Sequence, residues 1–412
     1  MSDAVFVSVE LDGQTIEAGT AYFTRRQGMV STSFRYSEDY LARPGAYAID
    51  PAMPLLKGNY APSGLPGAFA DCSPDRWGKN LISKSIRVQA LREGRTPPST
   101  GDVDYLLGVS DLTRQGALRF RQEPAGQFVH PDLSVPKLIE LPRLLRAADH
   151  VAQDADDMLA IKDLLDAGSG SLGGARPKAS VRDEGRLLIA KFPHHSDEWD
   201  VMAWEKTALD LAERAGIDAP RRETISVDDR TVLLLERFDR DHGRRIGYMS
   251  AMTMVEGRDG SPGDYLEVAE TLTEFSSRTS ADLRQLWRRI AFSIAIHNTD
   301  DHLRNHGFLR DGTAGWRLSP IFDVNPNPDG GAQRVTGIGG AHRREDEVDG
   351  LMTYAESFRV TPADARQIIR EVLDATADWQ RVATGNGVPK RELSRFQEAF
   401  EAARSPLSEL AL

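Results

Sequence analysis

Alternation of apolar and polar residues dominates the start of the chain. Residues 4–35 carry it in three runs, VFVSVELDG, TIEAGTAYFT and MVSTSFRY, separated by glycine-containing punctuation. A period of two predicts strands with one buried face. A loop-rich stretch from Pro51 to Asp75 leads into a helix near Asp75–Glu93, and residues 121–136, with three prolines, read as a linker. Helical patterns follow at 137–150 and 154–167, then the glycine-rich segment GSGSLGGARPK at 168–178. Strand patterns recur at 179–192 and 231–238 around a helix at 197–215, whose apolar stripe is Trp204, Ala208, Leu211, Ala212 and Ala215. Beyond about residue 246 the period is mainly helical. Residues 282–297 place Leu283, Leu286, Trp287, Ile290, Ala291 and Ile294 on one helical face. The pattern predicts an α+β chain with a β-rich N-terminal half and an α-helical C-terminal half.

Composition narrows this little. The 412 residues suffice for two or three domains with their own cores, and 40% apolar with 27% charged content is ordinary for a globular protein. A net charge of −11 argues against a bulk electrostatic grip on nucleic acid or anionic membrane. No apolar run approaches a spanning helix, and the start, MSDAVFVSVELDG, lacks the basic and apolar regions of a secretory signal. The single cysteine, Cys72, rules out an intramolecular disulfide and suits a reducing cytosol, so a cytoplasmic location is expected.

The helical C-terminal half is interrupted at HNTDDHLRNHGFL (297–309) and SPIFDVNP (319–326). Asp300 and Asn305 have four residues between them, and Asp323 follows eighteen residues after Asn305. Kinase-type phosphoryl transfer needs that inventory: one Asp at the acceptor hydroxyl, and an Asn with a second Asp to hold Mg²⁺ on the nucleotide phosphates. Asp300 falls just past a buried helix. Two strand-like runs, His306–Arg310 and Gly315–Leu318, flank a DGT turn and return Asp323 toward it. These residues predict an ATP-dependent kinase. His297, His302 and His306 beside Asp300 and Asp301 offer a metal cluster as the rival, but their spacings of five and four match no zinc motif. His302 is expected to order the loop beneath Asp300.

A kinase also needs upstream parts. The segment 168–178 supplies glycines whose backbone N–H groups can approach phosphates, although it is neither a Walker loop nor GxGxxGxV, and a flexible linker is the plain alternative. Arg176 and Lys178 would add positive charge there. Lys191, ending the run RLLIAKFP, can pair with the α- and β-phosphates, or face solvent from a strand end. Glu205 borders the apolar stripe of its helix and is the possible partner of Lys191, or a surface acid. The backbone of Glu236, Arg237 and Phe238, where the strand TVLLLERFDR ends, can meet adenine, or simply leave the sheet.

With these pieces in order, the chain resembles the HipA family of bacterial toxin kinases over nearly its whole length. The matching pieces are LPGAFADCSPDRWGKNLI (65–82), DYLLGVSDLTRQGALRF (104–120), SLGGARPK (171–178), LIAKFP (188–193), ERFDR (236–240), NTDDHLRNHGF (298–308) and SPIFDV (319–324). The resemblance implies a two-lobed protein-kinase-like fold: a β-rich subdomain at 1–125, a core with phosphate loop and hinge at 126–245, and a helical lobe at 246–412. It implies a serine/threonine protein kinase using ATP and Mg²⁺, with Asp300 catalytic, Asn305 and Asp323 as metal ligands, and Lys191 on the nucleotide phosphates. Ser171, Leu172, Gly173, Gly174 and Ala175 through Lys178 match the family's phosphate loop, with Ser171 the serine whose autophosphorylation silences the kinase by placing a charge of about −2 where ATP binds. The implied partners are a HipB-like helix-turn-helix antitoxin, operator DNA mainly through that antitoxin, and a translation component, such as an aminoacyl-tRNA synthetase, as substrate. Asp301 departs from expectation by adding a like charge beside Asp300, which would either raise the local pKa or add a metal contact. Aminoglycoside- or choline-kinase-like phosphotransferases are similar in their sites, but usually carry histidine two residues before the Asp, where this chain has Asn298. An inactive antitoxin-binding pseudokinase is the remaining alternative.

Overall fold

The computed structural model describes residues 3–26, 29–130, 135–153, 157–169 and 176–411. It divides into two compact units, Met1–Ser196 with Ile225–Met249, and Asp197–Thr224 with Ser250–Leu412.

In the first unit the alternating runs form an antiparallel meander, β1 (Asp3–Leu11), β2 (Gln14–Arg26) and β3 (Met29–Tyr36). A fourth strand, β4 (Leu118–Arg121), joins the free edge of β1, giving the order β3-β2-β1-β4. Val5, Val7 and Val9 all fall on the buried face, as a period of two requires. The helix Arg76–Arg92 begins where its cap residue predicts, with Asp75 Oδ1 accepting from Gly78 N at 2.7 Å. Part of the expected linker packs back instead. Val129 N donates to Phe120 O at 3.0 Å, and the Phe128 ring lies 3.8 Å from the Arg119 guanidinium. Non-local partners there outweigh the local proline signal.

A second sheet holds the hairpin β5 (Lys178–Asp183) and β6 (Arg186–Lys191), with β7 (Arg222–Val227) and β8 (Arg230–Glu236), in the order β5-β6-β8-β7. The helices Leu141–Ala152 and Met158–Asp166 bury Leu144, Leu145, Ala148, Ile161 and Leu164 in one cluster with Val181, Leu188, Val232 and Leu234 of these strands.

The second unit is mainly helical. Helix Val201–Arg214 turns Trp204 onto Phe396, with ring centroids 3.8 Å apart, and the indole N–H donates to Glu392 at 3.1 Å. Helix Thr279–Ala295 runs through the core, and all six residues of its expected apolar face are buried. The hairpin after the interruption pairs Gly307–Asp311 with Gly315–Leu318 in the register Phe308↔Leu318 to Asp311↔Gly315. Among the described residues no helix is long and apolar enough to cross a membrane.

Candidate active site

The central helix of the second unit ends at Ala295, and the chain is turned out of it by His297, a non-glycine residue at φ +53°. Asn298 N still donates back to Ser293 O at 2.9 Å. His297 Nε2 lies 3.0 Å from Asp329 O, which makes this histidine a buried tie between two loops. Asp300 follows with its side chain exposed. Partial desolvation raises its carboxyl above the ordinary value; His302 opposes this, while the Asp323 and Asp301 charges add to it. A carboxylate moved upward in this way is better suited to accepting a proton.

Asn305 is buried, and its Nδ2 donates to Asp300 O at 3.2 Å. That bond orients the amide and leaves its oxygen as the acceptor end. Asp323 adopts a left-handed φ of +56°, uncommon for a side chain with Cβ and typical of a residue aimed by its surroundings. An amide oxygen and a carboxylate form an all-oxygen donor set, which fits Mg²⁺, the ion a kinase reading implies.

Two expectations about neighbouring residues change. Asp301 is buried, with Oδ1 3.0 Å from His306 Nε2 and Oδ2 accepting from Ser293 Oγ at 3.2 Å and from Tyr265 Oη. Burial alone would raise its carboxyl, but His306, Tyr265 and Arg334 hold it well below the carboxylate range. Both oxygens are thus taken up internally rather than offered as a metal contact. The histidine in that buried network is His306, whose Nε2 lies 3.0 Å from Asp301, whereas His302 is only half-buried. Sequence reasoning missed Tyr265, Ser293, Arg334 and Glu347, because no local spacing links them, and offered His306 only as a metal-ligand candidate.

In the first unit, Lys191 ends β6 with its side chain buried, opposite Leu233 of β8. Lys178, expected near phosphate, is buried at the start of β5 and its Nζ donates to Asp75 Oδ2 at 2.7 Å. Asp75 therefore caps a helix with one oxygen and pairs with Lys178 through the other. The expected phosphate-loop residues Ser171, Leu172, Gly173, Gly174 and Ala175 lie outside the described residues. Glu205 is buried on its helix in the second unit, so the surface alternative does not hold.

The ERFDR segment is anchored by its charges. Arg237 donates through Nε to Asp239 Oδ1 at 2.8 Å and through its terminal nitrogens to Asp239 Oδ2 and Thr113 O, at 2.6 and 2.5 Å. Asp239 Oδ2 also accepts from Arg240 at 2.8 Å and from Gly116 N at 2.8 Å. Arg237 N donates to Leu187 O at 3.1 Å, so of the three expected hinge residues its amide is already spent within the sheet. Both motifs meet here, DLTRQG and ERFDR, though more than a hundred residues separate them.

The structure thus defines an α+β chain with a β-rich N-terminal half and a helical C-terminal region, in which Asp300 and Asn305 lie on the loop past a buried helix and Asp323 follows the next hairpin. A family model described as the HipA-like C-terminal domain matches residues 170–380, and one described as the HipA N-terminal domain matches residues 13–96. The chain belongs to the HipA family. It is 24% identical over 188 residues to a protein of Haemophilus influenzae and 25% identical over 208 residues to Y4mE of Sinorhizobium fredii, both provisionally named kinases. Those matches take in 39% and 46% of this chain, and 54% and 47% of the relatives, so the chain spans about half the length of each. A chain from the Shewanella oneidensis MR-1 toxin–antitoxin complex of HipA, HipB and operator DNA superposes with a TM-score of 0.63 over 99% of both chains, at 15% identity. At that identity the likeness is one of fold.

Proposed function

We propose that this chain is an ATP- and Mg²⁺-dependent serine/threonine protein kinase acting as the toxin of a HipA/HipB-like pair. The observation that carries the reading is the loop of the second unit, where Asn305 locks onto the backbone of Asp300 while Asp323 lies close enough to raise the Asp300 carboxyl. In this reading Asp300 takes the proton of the acceptor hydroxyl, and the Asn305 amide oxygen and Asp323 carboxylate hold Mg²⁺. Bound there, the ion supplies charge neutralisation on the nucleotide phosphates. Lys191 contributes a buried positive charge toward the phosphates. The backbone about Glu236 and Phe238 receives adenine. Lys178 supports the start of β5 through Asp75 rather than acting as a loose phosphate ligand.

The substrate is a hydroxyl on a translation component, an aminoacyl-tRNA synthetase in the first instance. A HipB-like helix-turn-helix antitoxin neutralises the kinase and carries most contact with operator DNA, which suits the net charge of −11. Ser171 is the proposed autophosphorylation site.

Incubation of the purified protein with radiolabelled Mg-ATP, beside Asp300→Asn, tests this reading, with sites mapped by mass spectrometry. Label on Ser171 in the wild type and none in the variant is the expected result. If phosphate-free wild-type protein binds Mg-ATP yet labels neither itself nor a panel of synthetases, the kinase assignment is overturned in favour of a pseudokinase.

A further inference from the structure

Asp300 is exposed, yet the chain on either side of it is held by side chains and backbone brought from far away. Val335 N donates to Thr299 O at 3.0 Å, and Thr336 Oγ1 donates to Asp301 O at 2.5 Å, so one short segment grips the residues before and after Asp300. Asn305 Nδ2 takes the carbonyl of Asp300 itself. Beneath this grip, the Asp301 carboxylate meets Tyr265, Ser293 and His306. The gripping segment is tied into the same cluster at its first residue. Arg334 donates to Ser293 Oγ and Glu347 Oε1, both at 3.0 Å, and reaches Tyr265 Oη at 3.5 Å. All of these side chains are buried.

We propose that Asp301, together with the segment Arg334–Thr336 that grips its backbone, is a positioning device that fixes Asp300 for phosphoryl transfer. The inference rests on the kinase reading and deepens it. A base displaced by about 1 Å from its acceptor loses on the order of a hundredfold in rate, so fixing the peptide on both sides of an otherwise solvent-exposed carboxylate has a direct kinetic consequence. The residue next to Asp300 is therefore neither a second base nor a metal ligand. It converts the position of a helix end and a downstream loop into the position of one carboxylate. The same cluster joins five separate stretches: the start of helix Tyr265–Phe275, the end of helix Thr279–Ala295, the residue before the hairpin, the gripping segment, and helix Arg344–Thr353.

The test uses the full chain with Asp301→Asn, Thr336→Val and Thr336→Ser, measuring Mg-ATP turnover, Mg-ADP affinity and hydrogen exchange across 298–306. Asp301→Asn and Thr336→Val are expected to lower kcat by about tenfold or more while KM for ATP stays within about twofold, because nucleotide contacts are untouched. Thr336→Ser keeps the hydroxyl and is expected to return kcat to within about twofold of wild type. Exchange across 298–306 should rise by about tenfold in the two damaging variants. A kcat at the wild-type level in folded Asp301→Asn and Thr336→Val, or Thr336→Ser as impaired as Thr336→Val, overturns the proposal. Should Asp301→Asn not fold, the Thr336 pair decides. A wild type without any transfer activity defeats the kinase reading instead; the exchange data then stand alone, and unchanged exchange would overturn the positioning role.

Discussion

Asp239 offers the sharpest stability prediction. Its carboxylate is buried and receives four hydrogen bonds, two from Arg237, one from Arg240 and one from Gly116 N, at 2.6–2.8 Å. Burial alone would raise its pKa, but the two guanidiniums hold it well below the carboxylate range. Asp239→Asn keeps the shape, removes the charge, and turns an N–H₂ group toward a donor. It leaves the buried Arg237 side chain, 2% exposed, without its counter-charge. Removing one partner from such a pair costs about 3–5 kcal/mol. At about 2–4 °C per kcal/mol for a body of 150–250 residues, the first unit should melt about 6–20 °C lower. Differential scanning calorimetry at neutral pH reads this directly. Asp241→Asn is the control, since that side chain is 64% exposed and should shift stability by no more than about 0.5 kcal/mol. The sign with pH follows from the depressed folded-state pKa. The Asp239 contribution is fully present above the unfolded value of about 3.9 and is lost as pH falls through the folded one. Wild-type and Asp239→Asn melting curves should therefore converge on acidification below about pH 4. A variant melting within about 1 °C of wild type at neutral pH would refute the argument that this cluster anchors the segment.

Other outcomes follow from single sites. Burial pushes the Cys72 thiol up to about 12, so it should resist iodoacetamide at pH 8 in the native protein and react once the chain is unfolded, as intact-mass measurement would show. Gly315 sits at φ +138°, where a Cβ would lie 2.7 Å from Phe275 O; Gly315→Ala should cost about 1–3 kcal/mol in urea denaturation. Trp204→Ala deletes a fully buried ring stacked on Phe396 and should cost about 3–5 kcal/mol, read as a lower transition midpoint of the second unit.

Local order is legible in the order of residues alone. The three alternating runs form β1 to β3, because strand period and burial are set by neighbouring residues. Asp75 marks the start of its helix, since a cap needs only the next turn. The apolar face from Leu283 to Ile294 follows from its helical period in the same way. The grouping of Asp300, Asn305 and Asp323 is open to sequence reasoning because the loop and hairpin that carry them are short.

What the tertiary structure alone decided concerns charges. Lys178 points to phosphate by its place in a glycine-rich segment, yet its ammonium ends on Asp75, 103 residues away. Arg237 and Asp239 meet a carbonyl and an amide from the segment around Thr113 and Gly116. The spacing leaves two readings of Asp301 open: its charge does add to the raised Asp300 carboxyl, but in place of a metal contact the carboxylate meets Tyr265, Ser293 and His306. Apolar burial is approximately additive and non-directional, so its pattern along the chain suffices to place it. A buried charge is stable only with specific partners at hydrogen-bonding distance, and those partners are chosen by how distant segments pack.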